Sequence, residues 1–250
     1  MAKTVIGVVH LKPLPGSPNY TTFEEVIDSA IKDAKALEDG GVDAIIIENY
    51  GDKPFLIEVG KEVVACMTAI AIEIKRVVSL PLGINVLRND AFSSLAIAKA
   101  VNADFIRVNQ LFFPSISPEG FLRPSAGELM RYKKQIDCNA MVFADISVKH
   151  AIHLAKIEEY TMEVERSLVD GVIVTGPATG MEVDVDELKF VKNSVKVPVL
   201  VGSGVTPENV TKIIKHCDGI IVGSYFKERG SINPERVKKL VKIVRDESTW

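Results

Sequence analysis

In this sequence, polar side chains end a series of apolar runs. His10 follows "VIGVV", Glu48 follows "AIII", Asn85 lies in "PLGINV", Arg107 and Asn109 lie in "FIRVN", Asp145 follows "VFA" and Thr175 follows "GVIV". A strand points alternate side chains to one face, and a polar group at its buried end is costly unless paired or used. The residue types suit proton transfer. Asp145, Glu48 and His10 are the candidate acid/base groups, with Asp145 the leading one, and Arg107 or Lys149 can stabilise developing negative charge. Asn85, Asn109 and Thr175 can orient substrate. Plainer roles stay open beside these. His10 could hydrogen-bond the proline-rich segment behind it, and Glu48 with Arg107 could form only an ion pair. The asparagines could cap loops, and Lys149 with His150 could be solvated loop charges. His153 and His216 read as ordinary surface or helix residues, and Asp52 with Lys53 as a salt bridge locking the segment after Glu48.

A second feature is a pair of glycine-lined breaks. "VLVGSGVTPENV" stops its apolar run at Gly202, Ser203 and Gly204, and Val205-Thr206-Pro207-Glu208 then reads as the start of a helix; "DGIIVGSYFK" breaks in the same way at Gly223 and Ser224. Backbone N–H groups at a glycine turn or a helix start converge on an anion with no side chain in the way. One such break would mean only a tight turn, whereas two after consecutive strands point to phosphate. Gly176 and Gly180, after Thr175, join Gly202, Ser203, Gly204, Gly223 and Ser224 as phosphate-binding candidates.

The elements that must position these residues form a regular series. Short apolar runs at residues 5–9, 44–47, 82–86, 105–108, 140–144, 171–174, 197–201 and 219–222 show little polar alternation, as expected of parallel strands covered on both faces. Amphipathic helical patterns separate them. "FEEVIDSAIKDAKALEDGG" ends in a glycine pair; "VDELKFVKNSV" and "PENVTKIIKHC" follow later runs; "NPERVKKLVKIVRDE" starts with Asn233 as N-cap and Pro234 at the first helical position. Eight strand–helix units in 250 residues predict an α/β fold of the (β/α)8 TIM-barrel type, in one domain spanning 1–250, over a doubly wound sheet. The connections at residues 11–22, 109–124 and 146–158 are long and follow strands, which places them at the mouth where barrel sites are built. Pro13, Pro15 and Pro18 stiffen the first.

Composition narrows the function classes. Acidic and basic residues nearly cancel, at a net charge of −3, and are interleaved, so no basic surface for nucleic acid is expected. No apolar run approaches a membrane span, and the N-terminus lacks a signal-peptide pattern, so a cytoplasmic protein is expected. Cys66, Cys138 and Cys217 are scattered and read as core thiols. No metal-binding motif is present and no cofactor is evident, although Glu48 and Asp145 could share a magnesium ion if they meet across the mouth, and the phosphate loops could hold a flavin's phosphate. The helical segment at residues 58–78 is apolar around most of its circumference, which requires deep burial or a homo-oligomeric partner.

The motifs "GVVHLKPLPGSP", "GVDAIIIENYGDKPF", "FIRVNQ", "ADISVKHA", "ATG", "VLVGSGVTPENV" and "DGIIVGSYFK" together resemble the BtpA/SgcQ family over nearly the whole chain. "ENYGDKPF" and "ADISVKHA" are the specific ones, since many barrels share the glycine loops. The resemblance implies a phosphate-binding TIM barrel. It also implies a link to photosystem I biogenesis, from which the family takes its name. The residues themselves lead to an enzyme acting on a small phosphorylated metabolite, a sugar phosphate or nucleotide-derived compound, by acid/base chemistry. Isomerisation, lyase-type cleavage and glycosyl transfer all fit. The alternative is a non-catalytic assembly or regulatory factor on the same scaffold.

Overall fold

The computed structural model describes residues 3–146, 150–176 and 181–248. Eight parallel strands close into a barrel: β1 (Thr4–His10), β2 (Ala44–Glu48), β3 (Leu82–Asn85), β4 (Phe105–Val108), β5 (Met141–Ile146), β6 (Gly171–Val174), β7 (Val199–Val201) and β8 (Gly219–Val222), each beside its sequence neighbours and β8 beside β1. The helices are α1 (Phe23–Asp39), α2 (Lys61–Val77), α3 (Ala91–Val101), α4 (Ala126–Gln135), α5 (Ile157–Glu163), α6 (Val185–Ser194), α7 (Val210–Ile213) and α8 (Pro234–Ser248). Their starts follow local chemistry. Thr22 Oγ1 accepts from Glu25 N to open α1, Asp184 from Asp186 N and Glu187 N to open α6, and Asn233 Oδ1 from Glu235 N at the head of α8, each satisfying N–H groups that have no partner inside the helix.

Two apolar layers hold the fold. Ile6, Val8, Ala44, Ile46, Phe105, Ile173, Leu200 and Ile221 fill the barrel interior with Phe143 packed against them, and Phe105 meets Phe143 edge to face. The larger layer lies between strands and helices. Helix α2 packs between α1 and α3 and buries Val63, Met67, Ile70, Ala71 and Ile74. Its apolar circumference is thus accounted for largely within the chain, and α2 gives no separate argument for a partner.

Two parts of the barrel rim depart from expectation. After β7 the chain makes a turn through Thr206–Asn209, and helix proper starts only at Val210, continuing as a 3-10 turn over Ile214–His216. Asn209 closes that turn, accepting from Thr206 N at 2.9 Å and donating to Gly204 O at 2.8 Å. The long connection after β4 is not irregular. It forms a hairpin of Ser115–Ser117 and Gly120–Leu122, to which Ile152–His153 from the connection after β5 adds a third antiparallel strand. Among the described residues no helix is long and apolar enough to cross a membrane.

Candidate active site

Strand alternation builds the site. His10, Glu48, Arg107, Asp145 and Thr175 each lie two residues beyond an inward apolar residue (Val8, Ile46, Phe105, Phe143 and Ile173), so they share the barrel interior one layer nearer the mouth. Register aligns part of that layer: His10 pairs with Glu48, and Glu48 with Asn85. On the opposite side Gly202 and Gly223 occupy the equivalent positions beyond Leu200 and Ile221, leaving backbone where the other strands carry side chains. Above lies a cavity of about 620 Å³, lined by His10, Glu48, Asn85, Arg107 and Asn109 on one side and by the Gly202–Thr206 and Gly223–Tyr225 segments on the other.

Charge in the floor centres on Arg107. Its Nε and Nη2 donate to the two oxygens of Asp145, each at 2.9 Å, and its Nη1 to Glu48 Oε1 at 3.3 Å. Asn85 donates to Glu48 Oε1 at 2.9 Å and Asn109 to Asp145 Oδ2 at 3.2 Å. Burial would lower the Arg107 guanidinium, but Asp145 and Glu48 outweigh it and hold it above its ordinary value. Arg107 is therefore a permanent cation.

Two expectations change here. Asp145 is 1% exposed, with both oxygens engaged, and it is not among the residues lining the cavity. Its geometry is that of a group orienting Arg107, which does not suit the leading proton-transfer role expected of it. Shared magnesium meets a similar obstacle, because the Arg107 guanidinium bonds both carboxylates and stands where the ion would have to lie. Among the described residues no group of three His, Cys, Asp or Glu side chains could hold a metal. Glu48 does line the cavity, with His10 Nε2 at 3.7 Å from its Oε2. The His10 ring rests against Tyr50 at 4.5 Å between centroids.

The glycine loops are shaped partly by packing. Gly204 has φ +69°, and a side chain there would run into the Met181 carbonyl; one at Gly223 would strike the His10 ring. The Gly176 N–H is already donated to Ser203 Oγ at 2.8 Å, so neither group is free for a ligand in this arrangement. By contrast, the N–H groups of Gly204 and Ser224 make no hydrogen bond among the described residues, and both residues line the cavity. Thr175 is buried outside the lining, its hydroxyl without a hydrogen-bond partner among the described residues. Lys149 and Gly180 lie outside the described residues.

Several neighbours escaped the sequence reading. Asn49, 1% exposed, accepts from Leu87 N at 2.7 Å and donates to Leu87 O and to Asp52, pinning the connection after β3. That connection carries Arg88 into the cavity wall, 3.6 Å from Glu119 on the hairpin. Burial pushes Arg88 below its ordinary value, with Glu119 and Asp145 only partly offsetting it. Asp52 does not pair with Lys53. It accepts from Leu14 N at 2.7 Å, tying the first connection to the second, while Lys53 lies 3.9 Å above the Tyr50 ring. His153 is half-buried against Tyr160, with Nδ1 3.0 Å from its hydroxyl.

The geometry has counterparts among known proteins. A model described as the BtpA family matches residues 1–246. A protein of Archaeoglobus fulgidus is 64% identical over 245 residues, covering 98% of this chain and 100% of that one. Photosystem I biogenesis protein BtpA of Synechocystis sp. is 41% identical over 252 residues, covering 97% and 88%. Among solved structures, thiamine phosphate pyrophosphorylase from Pyrococcus furiosus matches with a TM-score of 0.65 at 16% identity over 98% of this chain and 96% of that one. Identity that low shows the shared barrel and nothing finer.

Proposed function

The chain belongs to the BtpA family, and on that premise we propose that it is an enzyme acting on a small phosphorylated metabolite by proton transfer. The observation that carries this is the placement of Glu48. It is 6% exposed, on the cavity wall beside His10, and across the cavity lie the Gly204 and Ser224 N–H groups. In this reading those N–H groups hold the phosphate. Glu48 moves a proton at the other end of the substrate, with His10 as its partner, and Asp145 fixes Arg107, whose charge stabilises negative charge developing above it. Isomerase, lyase and glycosyl-transfer chemistry share these requirements.

The test is incubation of the protein with a pool of phosphorylated metabolites, read by mass spectrometry. One compound should be consumed, and Glu48→Gln should slow that consumption about a hundredfold or more while leaving the fold intact. Unchanged turnover in Glu48→Gln would refute the assignment. A second reading, a factor that works by surface contacts, is favoured by the name of the Synechocystis relative and by Ile116, Phe121 and Ile152, which stand exposed on the outer face of the small sheet. No consumption, and no thermal shift with any phosphorylated compound, is the result that reading expects.

A further inference from the structure

The two walls of the cavity differ in hydrogen-bonding sense. Toward β7 and β8 the backbone offers donors. Toward β2, β3 and β4 the floor donors are engaged by carboxylates: Arg107 by Asp145 and Glu48, the Asn85 amide by Glu48 and the Asn109 amide by Asp145. The last contact fixes which end of the Asn109 side chain is which, since an ionised carboxylate only accepts and must face the NH₂. Asn109 Oδ1 is then left buried with no hydrogen-bond partner among the described residues, in a residue 2% exposed that lines the cavity. Glu119 repeats the pattern. It lines the same wall from the hairpin, and its Oε2, 3.6 Å from Arg88 Nε, makes no hydrogen bond among the described residues. Among the lining residues Glu48 and Glu119 stand beside Lys53, Arg88 and Arg107, so the unmatched acceptors, and not the balance of charge, distinguish this wall.

A buried acceptor without a donor costs its full desolvation, and native interiors keep few of them. Asn109 Oδ1 is such an acceptor, and Glu119 Oε2, held only by an ion pair longer than a hydrogen bond, adds to its call for donors from outside the chain. We propose that the end of the substrate remote from its phosphate carries hydroxyls or an amine that donate to Asn109 Oδ1 and Glu119. The substrate class is thereby a phosphorylated polyol or amino-polyol. A phosphorylated carboxylic acid would bring a further acceptor to Asn109 Oδ1 and Glu119, which call for donors. This inference rests on the phosphate reading above.

Calorimetric titration of the full chain with four probes tests it: inorganic phosphate, pentyl phosphate, ribose 5-phosphate and 3-phosphoglycerate. Ribose 5-phosphate should bind about tenfold or more tighter than pentyl phosphate, the gain of one or two hydrogen bonds, and 3-phosphoglycerate no tighter than inorganic phosphate. Asn109→Leu and, separately, Glu119→Gln should bring the ribose-to-pentyl ratio toward one with inorganic phosphate affinity little changed. If Asn109→Leu fails to fold, Glu119→Gln carries the test, because Glu119 sits in the hairpin connection outside the barrel strands. A ratio near one in the unaltered protein, a ratio kept in both variants, or tightest binding of 3-phosphoglycerate would each overturn this inference while leaving the phosphate reading standing. Binding of none of the four would overturn both.

Discussion

The two ends of the barrel solve the same problem, polar groups at the ends of buried strands, in opposite ways. At the N-terminal end one device is repeated. Asp43, Asp104, Asp170 and Asp218 each precede an even-numbered strand, and each accepts from the N–H of a residue at the start of the strand before it: Val5, Leu82, Val142 and Val199, at 2.7–2.8 Å. The same aspartates donate their own N–H to the carbonyl of those residues. Lys192 reinforces one of them: burial would raise Asp218, but Lys192 and the Val199 N–H bring it below the usual carboxylate range. At the mouth the glycine break repeats only after β7 and β8, while β1 to β6 bring up His10, Glu48, Asn85, Arg107, Asp145 and Thr175, and the charges form one asymmetric cluster around Arg107. Repetition serves closure of the barrel, joining each odd-numbered strand to the next by the same bonds. Asymmetry serves a ligand, which has two unlike ends. Function is accordingly sought at the mouth.

Removing Arg107 is the harshest way to probe the contrast. Arg107→Met would leave Glu48 and Asp145 buried without the cation that both bond, and should cost about 3–5 kcal/mol of stability, measured by denaturant unfolding. A loss under about 1 kcal/mol would mean that the cluster is not held as a unit. At the other end Asp104→Ala removes a single repeat, leaving the Leu82 N–H without its acceptor. It should cost about 1–2 kcal/mol and leave phosphate affinity unchanged. A Leu82 contact that proved dispensable, or a change in ligand affinity, would break the division of labour between the two ends.

Much of this was readable beforehand, for identifiable reasons. All eight strands are apolar runs because both faces are covered, and the inward position of His10, Glu48, Arg107 and Asp145 follows from alternation. The fourfold aspartate was also in the sequence, as "VDAI", "ADFI", "VDGV" and "CDGI", although only the register shows what it bonds. Other features had no local signal. Which carboxylate faces the cavity depends on where one guanidinium lies, and Arg107 is far in sequence from both Glu48 and Asp145. Arg88 and Glu119 meet only because two connections cross. The small sheet is built from strands of two and three residues, too short for a period to register. The delayed start of α7 depends on the Asn209 side chain bonding back to the turn, which composition alone does not announce. Gly204, an obvious place to insert a charge, also proves a poor one, since its positive φ and the Met181 carbonyl would disrupt the loop itself. Exposed Ser224 is the cleaner position.

The central claim is that the backbone of the β7 and β8 connections binds phosphate. Titration of the isotope-labelled protein with inorganic phosphate, followed by amide NMR, addresses it residue by residue. The Gly204 and Ser224 amides should shift most and saturate together, and Ser224→Asp, which places a like charge at the same point, should abolish both shifts while the rest of the spectrum stays in place. Amides at Gly204 and Ser224 that do not move, or shifts that persist undiminished in Ser224→Asp, would contradict the account.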